Sequence, residues 1–278
     1  MSVRKRYLPS GWYPASPEET RSFLRELSAG PEVPPEAKKA VAVVAPHAGW
    51  GASGKTALKT LALVPETAET VVVIGGHLGP GDGVLAASED GYETPLGPIP
   101  ADLDLLDGLE GEMAVAVDVY PDNTVEVLMP MIRYLLPDAH ALWLRVSPDE
   151  SAVRLGNALH RLAVRDKASL AVVGSTDLTH YGPAYGFAPA GRGQEAYRWS
   201  SRENDREFIE LLLEMRPEEA LEHAQGRRSA CSAGGAVAAM VFAKNRGVKS
   251  GTLVEYSNSF DIYPSDSFVG YAGIAYRS

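Results

Sequence analysis

Cysteine is nearly missing from this chain: 278 residues carry one, Cys231, so no disulfide can form within it. Long apolar runs are missing too, and none approaches the roughly 20 residues that a membrane-spanning helix needs. Residues 1–13 lack the apolar core of a secretory signal. These absences predict a cytoplasmic protein in a reducing compartment, with no membrane partner. Positive charge is also in short supply, with 26 basic against 36 acidic residues and a net charge of -10. Basic residues cluster only at Arg4-Lys5-Arg6, Lys38-Lys39 and Arg227-Arg228. Nucleic-acid binding draws its affinity from many Lys and Arg on one face, so no nucleic-acid partner is expected. Repeats, low-complexity tracts and Gly/Pro/Ser-rich linkers are absent, which predicts a single domain over residues 1–278. What remains is a globular balance of 45% hydrophobic and 22% charged residues. A chain of this length needs no disulfide or structural metal to hold its core, so any metal would be functional.

Apolar, β-rich runs alternate with stretches of helical character. Val41–Ala45, Thr70–Ile74, Val115–Val119, Ala141–Val146 and Leu170–Val173 read as strands, and such continuous apolar runs suit parallel strands covered on both faces. Helices are predicted at Thr56–Leu63, Ala101–Leu109, Val125–Leu136 and Ser151–Val164, the last started by Pro148 and Asp149. Two more, Glu203–Glu214 and Ala233–Asn245, precede strand candidates at Thr252–Ser257 and Ser267–Tyr276, which pair with each other or close an edge of the sheet. The alternation predicts an α/β fold of three layers, a mostly parallel central sheet with helices on both faces.

Ligands of open α/β sheets collect beyond the carboxyl ends of the strands. His47 follows the first strand run, His77 the second, and Asp177 and His180 a later one. Two imidazoles with a carboxylate or thiolate as third ligand suit a mononuclear transition metal and leave positions open for substrate. The same places also suit hydrogen-bonded structural histidines. His140, His160 and His223 read as surface or packing residues. Cys231 opens a helix candidate, where the helix dipole lowers a thiol pKa, although a lone Cys is equally often a small buried apolar residue. A rival reading comes from Gly49–Thr56, which fits the phosphate-loop pattern G-x-x-x-x-G-K-S/T. Lys55 and Thr56 would then hold a nucleotide, with Asp118 at the end of an apolar run as the magnesium partner. Against it, Pro46, His47 and Ala48 intervene between strand and loop.

Six segments in fixed order carry a family likeness. They are Gly11–Pro14 (GWYP), Ala45–Trp50 (APHAGW) with Ser53-Gly54, Glu93–Gly97 (ETPLG), Ser175–Gly182 (STDLTHYG), Tyr256–Ser259 (YSNS) and Ser267–Ala272 (SFVGYA). Together they resemble the Memo family, whose fold is shared with class III extradiol dioxygenases, the non-haem iron enzymes that cleave aromatic rings. The resemblance implies iron or copper held by His47, His77 and Cys231. It also implies Asp177 and His180 in the same pocket as catalytic residues, and Trp12 and Glu126 as substrate-binding residues. The chain departs from the family pattern at Asn123 and Leu128, which stand where histidines are expected, at a missing histidine beside His77 (Leu78, if His77 is the first of the family's pair), and at Ser232, which replaces a glycine.

The leading expectation is therefore a metal-binding protein acting as a metal-dependent oxidoreductase on a small molecule. His180 would serve as acid/base and Asp177 as its orienter. The missing histidines motivate a second expectation, a non-catalytic binding or regulatory protein. The phosphate-loop nucleotide binder is the third. The expected partner is a small-molecule ligand, and a homo-oligomer stays open.

Overall fold

The computed structural model describes residues 2–29 and 39–277, so Lys38 of the Lys38-Lys39 pair lies outside the described residues. In chain order, α1 (Pro17–Leu27) precedes β1 (Ala40–Ala45), α2 (Trp50–Leu61) and β2 (Thr70–Gly75). Then come β3 (Val84–Ala86), β4 (Gly91–Tyr92), β5 (Ile99–Pro100), α3 (Leu103–Glu112), β6 (Ala116–Val117), α4 (Asn123–Glu126) and α5 (Met129–Leu135). These are followed by β7 (His140–Val146), α6 (Glu150–Arg165), β8 (Leu170–Ser175), β9 (His180–Tyr181), α7 (Gly193–Trp199), α8 (Asp205–Leu213) and α9 (Pro217–Arg227). The chain finishes with α10 (Ala233–Asn245), β10 (Thr252–Asn258), α11 (Ser259–Ile262) and β11 (Phe268–Arg277).

One large sheet runs in the order β10-β11-β1-β8-β2-β7-β3-β6, with β9 attached to β11. Its centre is parallel: β1 pairs with β8, β8 with β2 and β2 with β7. Antiparallel pairs flank it, β3 on β7 at one side and β11 on β1 at the other. The two closing strands do both things expected of them, since β10 pairs with β11 and β11 closes onto β1. Side chains alternate between the faces of a strand, so each apolar run feeds two cores. Ala42, Val44, Val72, Ile74, Leu142 and Leu144 pack with α3, α6, α8, α9 and α10. Val43, Ala45, Val71, Val73, Ala141 and Trp143 pack with α1, α2 and α5 on the opposite side. The result is the expected three-layer α/β fold with a mostly parallel sheet at its centre.

Local chemistry explains the helices. The Asp149 carboxylate accepts from Ser151 N at 2.7 Å and caps α6, as the Pro148-Asp149 signal predicts. Every residue of α10 from Ala233 to Ala243 is buried, which fits a helix apolar on all sides. Three expectations need correction. The helix expected over 125–136 is two, α4 and α5, because Pro130 lies in the first turn of α5. A proline inside one continuous helix would remove a hydrogen bond and clash with the preceding turn, at a cost of about 3 kcal/mol. The buried strand expected at Val115–Val119 is the two-residue edge strand β6, with Val117 and Val119 exposed. The helix expected from Thr56 begins at Trp50. Helices α1, α7 and α9 were not anticipated; Ser16 caps α1 through its hydroxyl, and prolines open α1 and α9.

Candidate functional site

The parallel centre of the sheet brings distant residues to one rim. His47 lies just beyond the end of β1, Asp177 beyond β8 and His77 beyond β2, and these strands are neighbours in the order β1-β8-β2. Cys231 arrives from the other side, in the loop entering α10. That helix sits unusually close to the sheet: a Cβ at Gly235 would fall 2.2 Å from the Ile74 carbonyl oxygen. Only glycine permits this approach, and it places Cys231 over the strand ends. Its amide donates to the Asp177 carbonyl at 3.2 Å.

One donor atom each from His47, His77 and Cys231 lies within 4.8 Å of the others. His47 Nε2 and Cys231 Sγ are 3.2 Å apart, and the two imidazole rings meet edge to face with centroids separated by 5.3 Å. His47 is buried, Cys231 half-buried and His77 exposed, so the cluster opens outward at His77. Asp177 holds His47 from below, accepting from its backbone N–H at 2.7 Å, with the second carboxylate oxygen 3.9 Å from Nε2. The donor set fits a transition ion: imidazole suits iron and copper, a thiolate favours the softer metals, and three protein ligands leave open positions.

Burial dominates the electrostatics. It lowers the His47 pKa to about 3, with neighbouring Asp122 pulling the other way. It lowers His77, helped by the charge of His47, and it lowers His180 against the pull of Asp177. Asp177 is raised to about 6 by burial, opposed by His180 and the His47 amide. The Cys231 thiol is pushed up by burial and then by Asp177, which reverses the lowering expected from a helix terminus. Cys231 precedes the N-cap residue Ser232, and loss of water outweighs the helix dipole there. These shifts favour neutral imidazoles and a protonated thiol, and a cation bound by all three would have to displace one proton.

Of the other expected residues, His180 stands close enough to shift both His47 and Asp177. Its Nδ1 is 3.1 Å from the Leu178 carbonyl and its ring lies edge-on to Tyr185. Trp12 is partly buried on the α2 side, its carbonyl accepting from Trp50 N at 2.8 Å at the start of α2. Glu126 is buried, and its carboxylate accepts from Tyr7 N at 3.1 Å, Leu8 N at 2.8 Å and the Tyr13 hydroxyl at 2.8 Å. It therefore anchors the segment that carries Trp12. Asn123 reaches the His47 carbonyl at 3.5 Å, and Leu128 is buried in the core.

The phosphate-loop reading is overturned. Residues 50–56 are helical, so no loop of free N–H groups surrounds a phosphate. Lys55 is exposed, and the Thr56 hydroxyl bonds Ser257 Oγ at 2.9 Å and Glu255 at 3.2 Å. Asp118, the supposed magnesium partner, is buried against Arg145 at 2.6 Å. Sequence reasoning missed Thr124 and Ser175, which lie behind His47. Ser175 was visible only as the first letter of the STDLTHYG segment, and nothing in the sequence marked Thr124.

Comparison with known proteins identifies the family. The family description "Memo-like protein" matches residues 4–275. A MEMO1 family protein of Methanosarcina mazei is 30% identical over 99% of both chains, and one of Thermococcus onnurineus is 29% identical over 99% of both. Among solved structures, an uncharacterized protein, JW3007, from Escherichia coli K12 aligns with a TM-score of 0.53 at 16% identity, covering 84% of this chain and 98% of that one. That likeness is one of fold alone. With the match extending from Arg4 to Ala275, the chain belongs to the Memo family.

Proposed function

We propose that the chain binds iron or copper through His47, His77 and Cys231 and acts as a metal-dependent oxidoreductase on a small molecule at the carboxyl end of the sheet. The observation that carries this reading is the convergence of three ligand atoms, from residues far apart in sequence, within 4.8 Å. When bound, such an ion supplies a Lewis-acidic, redox-active centre with positions open to ligand. The chain's own residues do the rest. A carbonyl only accepts, so the His180 contact with Leu178 makes Nδ1 the donor and leaves Nε2 as a proton acceptor. Its lowered pKa keeps that acceptor free at neutral pH. Asp177 holds the His47 backbone and keeps negative charge beside His180. Glu126 acts through the segment it anchors, which presents Trp12. Among the described residues no helix is long and apolar enough to cross a membrane, and a reducing cytoplasmic setting suits the single thiol.

The test is metal analysis of untagged protein purified without chelator. Near one equivalent of iron or copper is expected, lost in H47Q and C231S, together with a rise in melting temperature on adding the ion. The ion contributes about 2.7 kcal/mol at a hundredfold excess over Kd. Metal-free protein whose stability ignores both ions, in wild type and variants alike, sinks the proposal. A second reading, a binding protein without catalysis, draws on Leu78, Asn123 and Leu128, which remove proton-transfer capacity. Rapid oxygen uptake with a catechol excludes it.

A further inference from the structure

Behind His47 runs a chain of hydrogen bonds whose directions are fixed by chemistry. The Ser175 hydroxyl contacts two groups, the Thr124 carbonyl oxygen and His47 Nδ1, the latter at 2.9 Å. The carbonyl has no proton to give, so the serine proton goes to it. A hydroxyl carries one proton, hence Ser175 can only accept from the imidazole, and Nδ1 of His47 bears the hydrogen. On the other side of the ring, Nε2 faces Cys231 Sγ at 3.2 Å. The Ser175 contact therefore sets the ring state as Nδ1–H, with the Nε2 lone pair aimed at the cluster.

Thr124 is itself held on several sides. Its hydroxyl oxygen accepts from Gly76 N at 2.8 Å and gives its proton to Asp122. Its amide donates to the same carboxylate at 2.8 Å. The other oxygen of Asp122 takes a hydrogen bond from Arg145 at 3.1 Å, and Arg145 is paired with buried Asp118 at 2.6 Å. Thr124 thus grips the residue before His77 through its side chain and His47 through Ser175, tying both imidazole segments to one buried ion pair.

We infer that Ser175, backed by Thr124, is a positioning residue that locks His47 in the Nδ1–H form and so presents Nε2 as a ready ligand. This rests on the metal reading for its purpose, but the ring state can be observed without any metal. Outer partners of this kind orient ligating histidines, and their loss typically costs about 10- to 100-fold in metal affinity.

The experiment is long-range proton–nitrogen NMR on metal-free protein labelled with 15N-histidine, with His47 assigned by the signals that vanish in H47Q. Wild type should show the protonated nitrogen of His47 at Nδ1, and S175A should shift population to the Nε2–H form. Copper(I) competition against a chromogenic chelator should then show S175A binding about 10- to 100-fold more weakly than wild type. An Nε2–H form in wild type overturns the inference even if S175A fails to fold. An unchanged ring state in S175A, or a changed ring state with unchanged copper affinity, also overturns it. Wild type with Nδ1–H and no affinity for copper(I) or iron(II) overturns the assigned purpose and with it the metal reading, while the ring state itself stands.

Discussion

At the residue scale, His47 carries a large chemical contrast between folded and unfolded chain. Its pKa is about 3 when folded against 6.5 for an exposed imidazole. Between those values the unfolded chain takes a proton that the folded chain refuses. The stability it confers is therefore complete above pH 6.5 and is lost as pH falls, by about 1.4 kcal/mol per unit. Asp177, raised to about 6 from 3.8, acts in the opposite sense between those values and is present in both proteins to be compared. In metal-free protein, the stability difference between wild type and H47N should shrink by about 3 kcal/mol from pH 7 to pH 4.5 in urea denaturation. Parallel profiles would show that His47 is not buried neutral. This scale also shows what the sequence could reveal. His47 and Asp177 stood out because each follows an apolar strand run within a family-like segment. Ser175 and Thr124 did not, because a hydroxyl gains its role only from the partners it meets, here His47 beyond β1 and Gly76 beyond β2, which sequence spacing does not connect.

At the scale of elements, the site depends on how closely α10 seats against the sheet. G235A sets a methyl against the Ile74 carbonyl, where the nearest atom is 2.2 Å away. It should destabilise by about 1–3 kcal/mol through overpacking and weaken copper binding by moving Cys231. G226A is the control: it lies exposed in α9 with nothing within 4 Å of the added carbon. That change should leave copper binding alone and gain about 0.5–1 kcal/mol of helix stability. Equal loss of copper affinity in both would detach Cys231 from the seating of α10. Strands β1, β2, β7 and β8 were legible because continuous apolar runs permit little else. Helix α2 was misjudged at its start because Gly49–Gly54 is glycine-rich and reads as a loop. Tertiary contact overrides that tendency: a Cβ at Gly54 would already press on Leu27 and Trp50 at 3.0 Å, so small residues there let α1 and α2 meet.

At the scale of the whole molecule, the first strand depends on the last. β1 is bordered by β8 on one side and β11 on the other, with Ala40 opposite Arg277. A chain ended after Asn245 keeps every ligand of the cluster yet lacks β10 and β11, leaving the inner edge of β1 unpaired. Such edges recruit other chains. That truncated form should sediment as aggregate and bind a hydrophobic dye, where the full chain stays monodisperse and does not; a monodisperse, copper-binding truncation would refute this.

The same pairing constrains how the protein is made. A ribosome delivers β1 more than 200 residues before β11, and domains of this size mature through intermediates as they emerge. Until β11 emerges, the strand that leads into His47 has one neighbour missing and Cys231 is tethered to an unfinished layer. On the metal reading proposed above, the cluster would reach its full support only once β11 has paired with β1, so loading would follow that pairing and a cell short of the ion would accumulate folded but unloaded protein.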